Sequence, residues 1–233
     1  MKRILLSVVS LLAARGFAGE SPAARVPVLV ELFTSEGCSS CPPADRLLQK
    51  LDHDQPVPGA QIIVLSEHVD YWDQLGWKDP FSSAQYTQRQ RDYSAALKAE
   101  VYTPQMIVDG ARAFVGNEER EALRTIREVA KQPLAPLKIE TQKDGQKTRI
   151  DVTRDGPSQG PVYVALAYEA KQSQVLRGEN AGHGLSHVAV VYSLRKLGND
   201  HRLTAKIEPA TRVVAFEEKP GTGITALGEI RIP

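Results

Sequence analysis

Cys38 and Cys41 are the only cysteines in this chain of 233 residues, and Ser39 and Ser40 separate them. A C-x-x-C pair is the arrangement of thiol–disulfide chemistry, because the two thiols can close a small ring and the thiolate of one is a nucleophile. Such a pair needs rigid neighbours. Val28-Leu29-Val30-Glu31-Leu32-Phe33 before it reads as a buried strand, and the run from Pro42 to Leu51 after it reads as a helix opening on proline. The positive end of a helix favours a thiolate. Pro42 and Pro43 each lack a backbone donor, so the regular helix is expected to start near Pro42, with the cysteines in its lead-in turn. Cys38, nearer the strand, is assigned the attack, and Cys41 resolves. Two other readings stay open, an inert disulfide and half of a metal site. In the second, His68 would be a third ligand; zinc would ask for about four ligands and no second C-x-x-C exists, while copper also suits thiolates and imidazole. No cofactor is called for.

The N-terminus has the pattern of a secretion signal. Met1-Lys2-Arg3 supplies positive charge, and the apolar run from Ile4 to Ala14 is too short to span a bilayer. Gly16-Phe17-Ala18 offers small residues for cleavage after Ala18. Removing Lys2, Arg3 and Arg15 from the 29 basic residues leaves 26 against 28 acidic ones, a net of −2. That balance gives no nucleic-acid surface, and no later run is apolar enough to anchor the chain in a membrane. The expected location is secreted or periplasmic, and the expected partner is an extracytoplasmic protein or a small thiol or disulfide. In an oxidising compartment two cysteines make one local bridge, and a bridge closing so small a loop adds little stability. Redox use explains its presence better.

Further strands are expected at Gln61–Ser66, Gln105–Val108 and Ala111–Val115, the last two joined by an Asp109-Gly110 hairpin turn. A helix is expected over Phe81–Ala99 with an apolar stripe through Ala84, Tyr93, Ala96 and Leu97. Another is expected after Asn117, which would cap it, with Leu123, Ile126 and Val129 inward. Gln132-Pro133-Leu134-Ala135-Pro136 reads as a boundary. Beyond it, candidate strands at Leu137–Thr141, Lys147–Thr153, Val162–Glu169, Ser186–Leu194, Arg202–Glu208 and Arg212–Glu217 suit a small antiparallel sandwich or open barrel.

The order β-α-β-α-β-β-α, the C-x-x-C after the first strand and Thr103-Pro104 before the third together resemble the thioredoxin superfamily. Tyr102-Thr103-Pro104-Gln105-Met106-Ile107-Val108-Asp109-Gly110 looks especially like its glutaredoxin-type segment. A closer resemblance rests on Thr34-Ser35-Glu36-Gly37-Cys38-Ser39-Ser40-Cys41-Pro42-Pro43-Ala44-Asp45, His68-Val69-Asp70-Tyr71-Trp72-Asp73, Leu75-Gly76-Trp77, Asp79-Pro80-Phe81-Ser82, Gly178-Glu179-Asn180 and Leu185-Ser186-His187. These are similar to the secreted thioredoxin-like family called domain of unknown function 1223. The resemblance runs from about Val28 to the C-terminus, and it implies a fold but no established activity. With the signal and the boundary read above, the expected division is a signal peptide at residues 1–18, a thioredoxin-like α/β domain with a helical insertion at 19–133, and a β-rich, sandwich-like domain at 134–233; the thioredoxin-like fold is what the resemblance implies. It also implies that Pro104 is cis and faces the cysteines, that Thr103 presents backbone groups to an extended partner chain, and that Cys41 is the more buried cysteine. The chain departs from thioredoxin in the Ser-Ser dipeptide and in the long insertion between Tyr71 and Ala99.

Other residues have two readings each. Glu31, one position from the buried acid of thioredoxin's first strand, could accept the resolving cysteine's proton or point to solvent. Glu36, two residues before Cys38, would raise the thiol's pKa if its charge were uncompensated. The segment His68–Asp73 could be a pocket wall or a capped turn with packing aromatics. His183 and His187 are not expected to form a metal pair, since their surroundings read as loop and strand. Gly178-Glu179-Asn180 reads as a shaped turn facing the first domain.

Overall fold

The first apolar run forms β1 (Val26–Thr34), and the second forms β2 (Ala60–His68), in a computed structural model that describes residues 25–219 and 222–233. The signal-peptide expectation lies outside the described residues. α1 (Pro42–Asp54) connects the two strands, which pair in parallel from Val26↔Ala60 to Thr34↔His68, as a helical crossover requires. α2 (Ala84–Leu97) follows. β3 (Gln105–Val108) then returns antiparallel to β1, and β4 (Arg112–Val115) pairs with β3. α3 (Glu119–Val129) closes this half. Its N-cap is Glu118 rather than Asn117, and it carries no side-chain cap. Leu47, Leu48 and Leu51 of α1 pack on Val28, Val30 and Leu32 of β1, each such burial contributing roughly 1.5–3 kcal/mol.

The C-terminal half adds β5 (Ala135–Asp144), β6 (Lys147–Arg154), β7 (Val162–Gln174), β8 (Gly184–Lys196), β9 (Arg202–Ala205), β10 (Thr211–Lys219) and β11 (Gly223–Ile232). These strands do not make a separate sheet. β8 pairs in parallel with β2 through Ser66↔Val190, so the described residues carry one eleven-stranded mixed sheet, ordered β4-β3-β1-β2-β8-β7-β10-β11-β5-β6-β9. The molecule is thus mixed α/β, with three helices among the described residues and a large, mostly β sheet. Side-chain alternation gives β7 and β10 two working faces. Ala165, Ala167, Val214 and Phe216 join the core under α1, while Val162, Val164, Leu166, Val213 and Ala215 pack with Leu137, Ile139, Ile150 and Val152 in a second core. The β-rich C-terminal strands thus continue the first sheet and bury a second core of their own. Polar bonds also tie the halves. Arg212 is buried on β10 and reaches Asp52 of α1 at 2.6 and 2.7 Å and Glu169 of β7 at 2.7 Å, and Tyr86 Oη donates to the Val191 carbonyl at 2.9 Å.

The stripe expected on α2 is a correction. Ala84 and Ala96 are exposed, and the buried face carries Tyr86, Thr87, Arg89, Gln90, Tyr93 and Ser94. The reason lies in the sheet beneath. Glu31 accepts from Arg89 Nε at 2.8 Å and from Tyr93 Oη at 2.6 Å, and Arg89 also donates to Glu218 at 3.0 Å. Glu31 is fully buried on the face opposite Leu32, so it does not point to solvent.

At the β3–β4 turn Asp109 has a positive φ of 48° and Gly110 one of 62°, the backbone that Asp-Gly accommodates. Asp109 Oδ1 accepts from the Leu29 N–H at 2.7 Å in a buried position, and burial pushes its carboxyl up to about 7. A native group that keeps its proton above the unfolded pKa favours the fold fully at low pH. That contribution is lost as pH rises from about 4 to about 7. Asp109→Asn keeps the acceptor and tolerates the turn. It is expected to raise stability above pH 7 by about 2 kcal/mol and to flatten the pH dependence across that window, as checked by urea unfolding at pH 5 and pH 8.

Candidate active site

Cys38 and Cys41 lie in the turn between β1 and α1. They are joined as a disulfide with Cα atoms 5.4 Å apart, inside the usual range. Cys41 is the N-cap residue of α1 and makes no side-chain cap; its carbonyl accepts the Ala44 and Asp45 N–H groups. The helix starts at Pro42, as its two prolines require. Ser39 and Ser40 are exposed, whereas both cysteines have zero exposure. Burial therefore does not rank Cys41 behind Cys38.

The cover comes from the β7–β8 connection. Asn180 Nδ2 donates to the Glu36 carbonyl at 2.8 Å and to the Cys38 carbonyl at 2.9 Å. Glu179 accepts from the Ser39 N–H at 3.0 Å and its hydroxyl at 2.6 Å, bonds that hold the Glu179 carboxyl below its ordinary value. Gly178, at φ 77°, sits against Gly76 and Trp77; a Cβ on it would lie 3.1 Å from the Trp77 Cβ. The shaped turn read from Gly178-Glu179-Asn180 thus faces the cysteine loop.

The peptide between Thr103 and Pro104 is cis. Thr103 Oγ1 accepts from the Trp72 indole at 2.8 Å, and the Cβ of Trp72 would lie 3.2 Å from a Cβ on Gly37, next to Cys38. A Cβ on Gly116 would fall 3.0 Å from Pro104 and 3.2 Å from Ala44 of α1. Trp72 and Gly116 therefore link the Thr103-Pro104 loop to the two sides of the cysteine turn. Within His68–Asp73 the capped-turn reading holds: Asp70 accepts from Thr87 Oγ1 at 2.6 Å, and Tyr71 and Trp72 pack against a cluster of Phe33, Val69, Tyr93 and Ile107.

Around Glu36, two residues before Cys38, is a buried polar cluster whose mutual contacts the sequence did not reveal. His68 Nδ1 meets Asp79 Oδ2 at 2.7 Å, and its Nε2 has no hydrogen-bond partner. His187, from β8, stands edge-on to His68 with ring centroids 4.8 Å apart. Burial pushes the Asp79 carboxyl up, but His68 and the N–H groups of Glu36 and Phe81 hold it below its ordinary value. Glu36 accepts from the Trp77 indole at 2.8 Å and from the Ser173 hydroxyl, so its charge is engaged rather than bare. His183 turns away to the Asn180 carbonyl, 3.2 Å from its Nδ1. Among the described residues no group of three or more His, Cys, Asp and Glu side chains is arranged to hold a metal ion, and no helix is long and apolar enough to cross a membrane.

Residues 29–222 match the family described as Protein of unknown function (DUF1223). The chain belongs to that family. A solved structure from Agrobacterium tumefaciens, protein AGR_C_4864, is 28% identical, with a TM-score of 0.66, and the match covers 88% of this chain and 94% of that one. HBP35 of Porphyromonas gingivalis is 14% identical, with a TM-score of 0.61 over 91% of this chain and 77% of that one, a likeness of fold alone. A search of curated proteins found no match. Cys38–Cys41, His68, Asp79, Gly178–Asn180 and His187 all converge on one site from β1, β2, β8 and their loops.

Proposed function

We propose that this family member is a thioredoxin-like thiol–disulfide exchange protein that works outside the cytoplasm after cleavage of its signal peptide. The observation that carries the reading is the closed Cys38–Cys41 pair at the start of α1, with Thr103-Pro104 linked to the same turn through Trp72 and Gly116. In the reduced protein the Cys38 thiolate attacks a partner's disulfide. One sulfur–sulfur bond forms as the partner's breaks, and a partner thiolate leaves. Cys41 then attacks Cys38 Sγ, releasing the second partner thiolate and closing the intramolecular disulfide. The protein is oxidised by two electrons and the partner is reduced by two; the reverse sequence oxidises a dithiol. The partner is an extracytoplasmic protein, held in extended form along Thr103, or a small thiol or disulfide.

A second reading, a non-catalytic module that binds a metal or a partner, is favoured by the full burial of both cysteines beneath Glu179 and Asn180. One experiment separates the two. A Cys41→Ser chain is expressed in an oxidising compartment and resolved on a non-reducing gel. Reducible adducts at Cys38 are expected. Their absence, together with zinc or copper retained stoichiometrically by the reduced wild type and lost on His68→Ala, would replace exchange by binding.

A further inference from the structure

His187 occupies an unusual place. It is 2% exposed on β8, with Nε2 3.4 Å from Glu36 Oε1 and Nδ1 3.6 Å from Asp45 Oδ1. These contacts are charge pairing rather than hydrogen bonds, and neither ring nitrogen has a hydrogen-bond partner. Glu36 lies two residues before Cys38, and Asp45 lies four after Cys41, with its own N–H on the Cys41 carbonyl at 3.1 Å. The two carboxylates therefore flank the disulfide in the chain, and one imidazole from the far half of the molecule meets both. A second path closes the cluster, since the Glu36 N–H donates to Asp79 Oδ2 at 2.8 Å, and the same carboxylate holds His68 against the His187 ring.

We propose that His187 is a positioning residue of the cysteine site, joining Glu36 and Asp45 across the disulfide and thereby setting how readily the reduced pair forms a thiolate. This deepens the exchange reading and rests on it for its purpose. The ring's surroundings supply the charge logic. Burial works against an imidazolium, but Asp45 and Glu36 outweigh it and raise His187 to about 10. At neutral pH the ring is a cation, and its share of stability, complete below about pH 6.5, is lost only as pH climbs through about 10. The titratable groups facing it are Glu36 from the β1–α1 turn, Asp45 from α1 and His68 from β2, with Asp79 behind His68 and Lys171 directly opposite on β7, a cation that every variant below retains. Counting Glu36, Asp45 and His187, the trio carries one net negative charge; without the imidazolium it carries two. An added negative charge beside a thiol raises its pKa.

The test reads thiol acidity directly. Reduced wild type and His187→Gln are alkylated with iodoacetamide over a pH series, and the Cys38 and Cys41 peptides are quantified by mass spectrometry. The midpoint for the faster cysteine is expected to rise by about one pH unit in His187→Gln, giving about tenfold slower labelling at pH 7. Adding Asp45→Asn to that variant restores the single net negative charge and is expected to bring the midpoint back. Asp45→Asn alone is expected to move it down by about one unit, and it decides the matter should His187→Gln fail to fold. A folded His187→Gln with an unmoved midpoint would overturn the assignment, as would a lone Asp45→Asn that does not lower it. Alkylation needs no partner, so the expected shifts in a protein that exchanges with nothing would sink the exchange reading and leave His187 in its role.

Discussion

A Cys38→Ser chain is expected to show no exchange above the uncatalysed background, whereas Cys41→Ser completes the first step and stalls as a mixed disulfide. The asymmetry follows from the order along the chain. On the proposed roles Cys38, on the β1 side of the turn, attacks and Cys41, the N-cap residue of α1, resolves, even though both are equally buried. In the reduced wild type, Cys38 should be alkylated about tenfold faster than Cys41 at neutral pH. Faster labelling at Cys41, or adducts trapped in Cys38→Ser rather than Cys41→Ser, would reverse the roles. The double Cys→Ser chain should remain folded, because closing so short a loop contributes only about 2 kcal/mol. Circular dichroism of that variant separates lost chemistry from lost structure.

The second large effect belongs to Arg89. Its guanidinium holds Glu31 and Glu218 and stands 3.5 Å from Glu67, whose two oxygens have no hydrogen bond. Arg89→Met removes the cation and leaves buried acids behind it. The expected loss is about 3–5 kcal/mol, or about 10 °C in Tm. Burial first, and the Glu31 charge second, push Glu67 well above its ordinary value. A carboxyl so raised favours the fold at low pH and loses that contribution as pH rises through its native pKa. The Arg89→Met defect should therefore be smallest near pH 5 and grow toward pH 9. Adding Glu31→Gln and Glu67→Gln should recover most of the loss. A Tm within about 2 °C of wild type at pH 8 would contradict this account of the cluster.

These two predictions mark the limits of what the sequence discloses. β1, α1, β2 and the β3–β4 hairpin were legible because apolar runs and the Asp109-Gly110 turn are local signals, and each formed where expected. α2 was legible as a helix but not in its buried face, because Arg89 and Tyr93 are turned inward by acids more than fifty residues away in sequence. β11 was missed. Gly223 and Gly228 interrupt its pattern, yet a Cβ on Gly228 would fall 2.1 Å from the Leu137 carbonyl, so glycine is what lets β11 meet β5. The cysteine pair announced itself by spacing alone, and the Thr103-Pro104 loop by its resemblance to the glutaredoxin-type segment before β3. His187 did not, since its relation to Glu36, Asp45 and His68 exists only once β8 lies beside β2.

The contact between Ser39 and Glu179 spans 140 residues of chain, whereas the two cysteines are separated by three. Chains emerge N-terminus first, and near neighbours meet long before distant ones. A nascent molecule therefore displays its thiols bare for the whole interval before the β7–β8 connection with Glu179 and Asn180, and then β8 with His187, arrive. Oxidant, metal and stray thiols all have their access in that interval. The finished fold then lays the β7–β8 connection over the pair, so later access to the sulfurs runs past the Glu179 and Asn180 bonds to the cysteine loop.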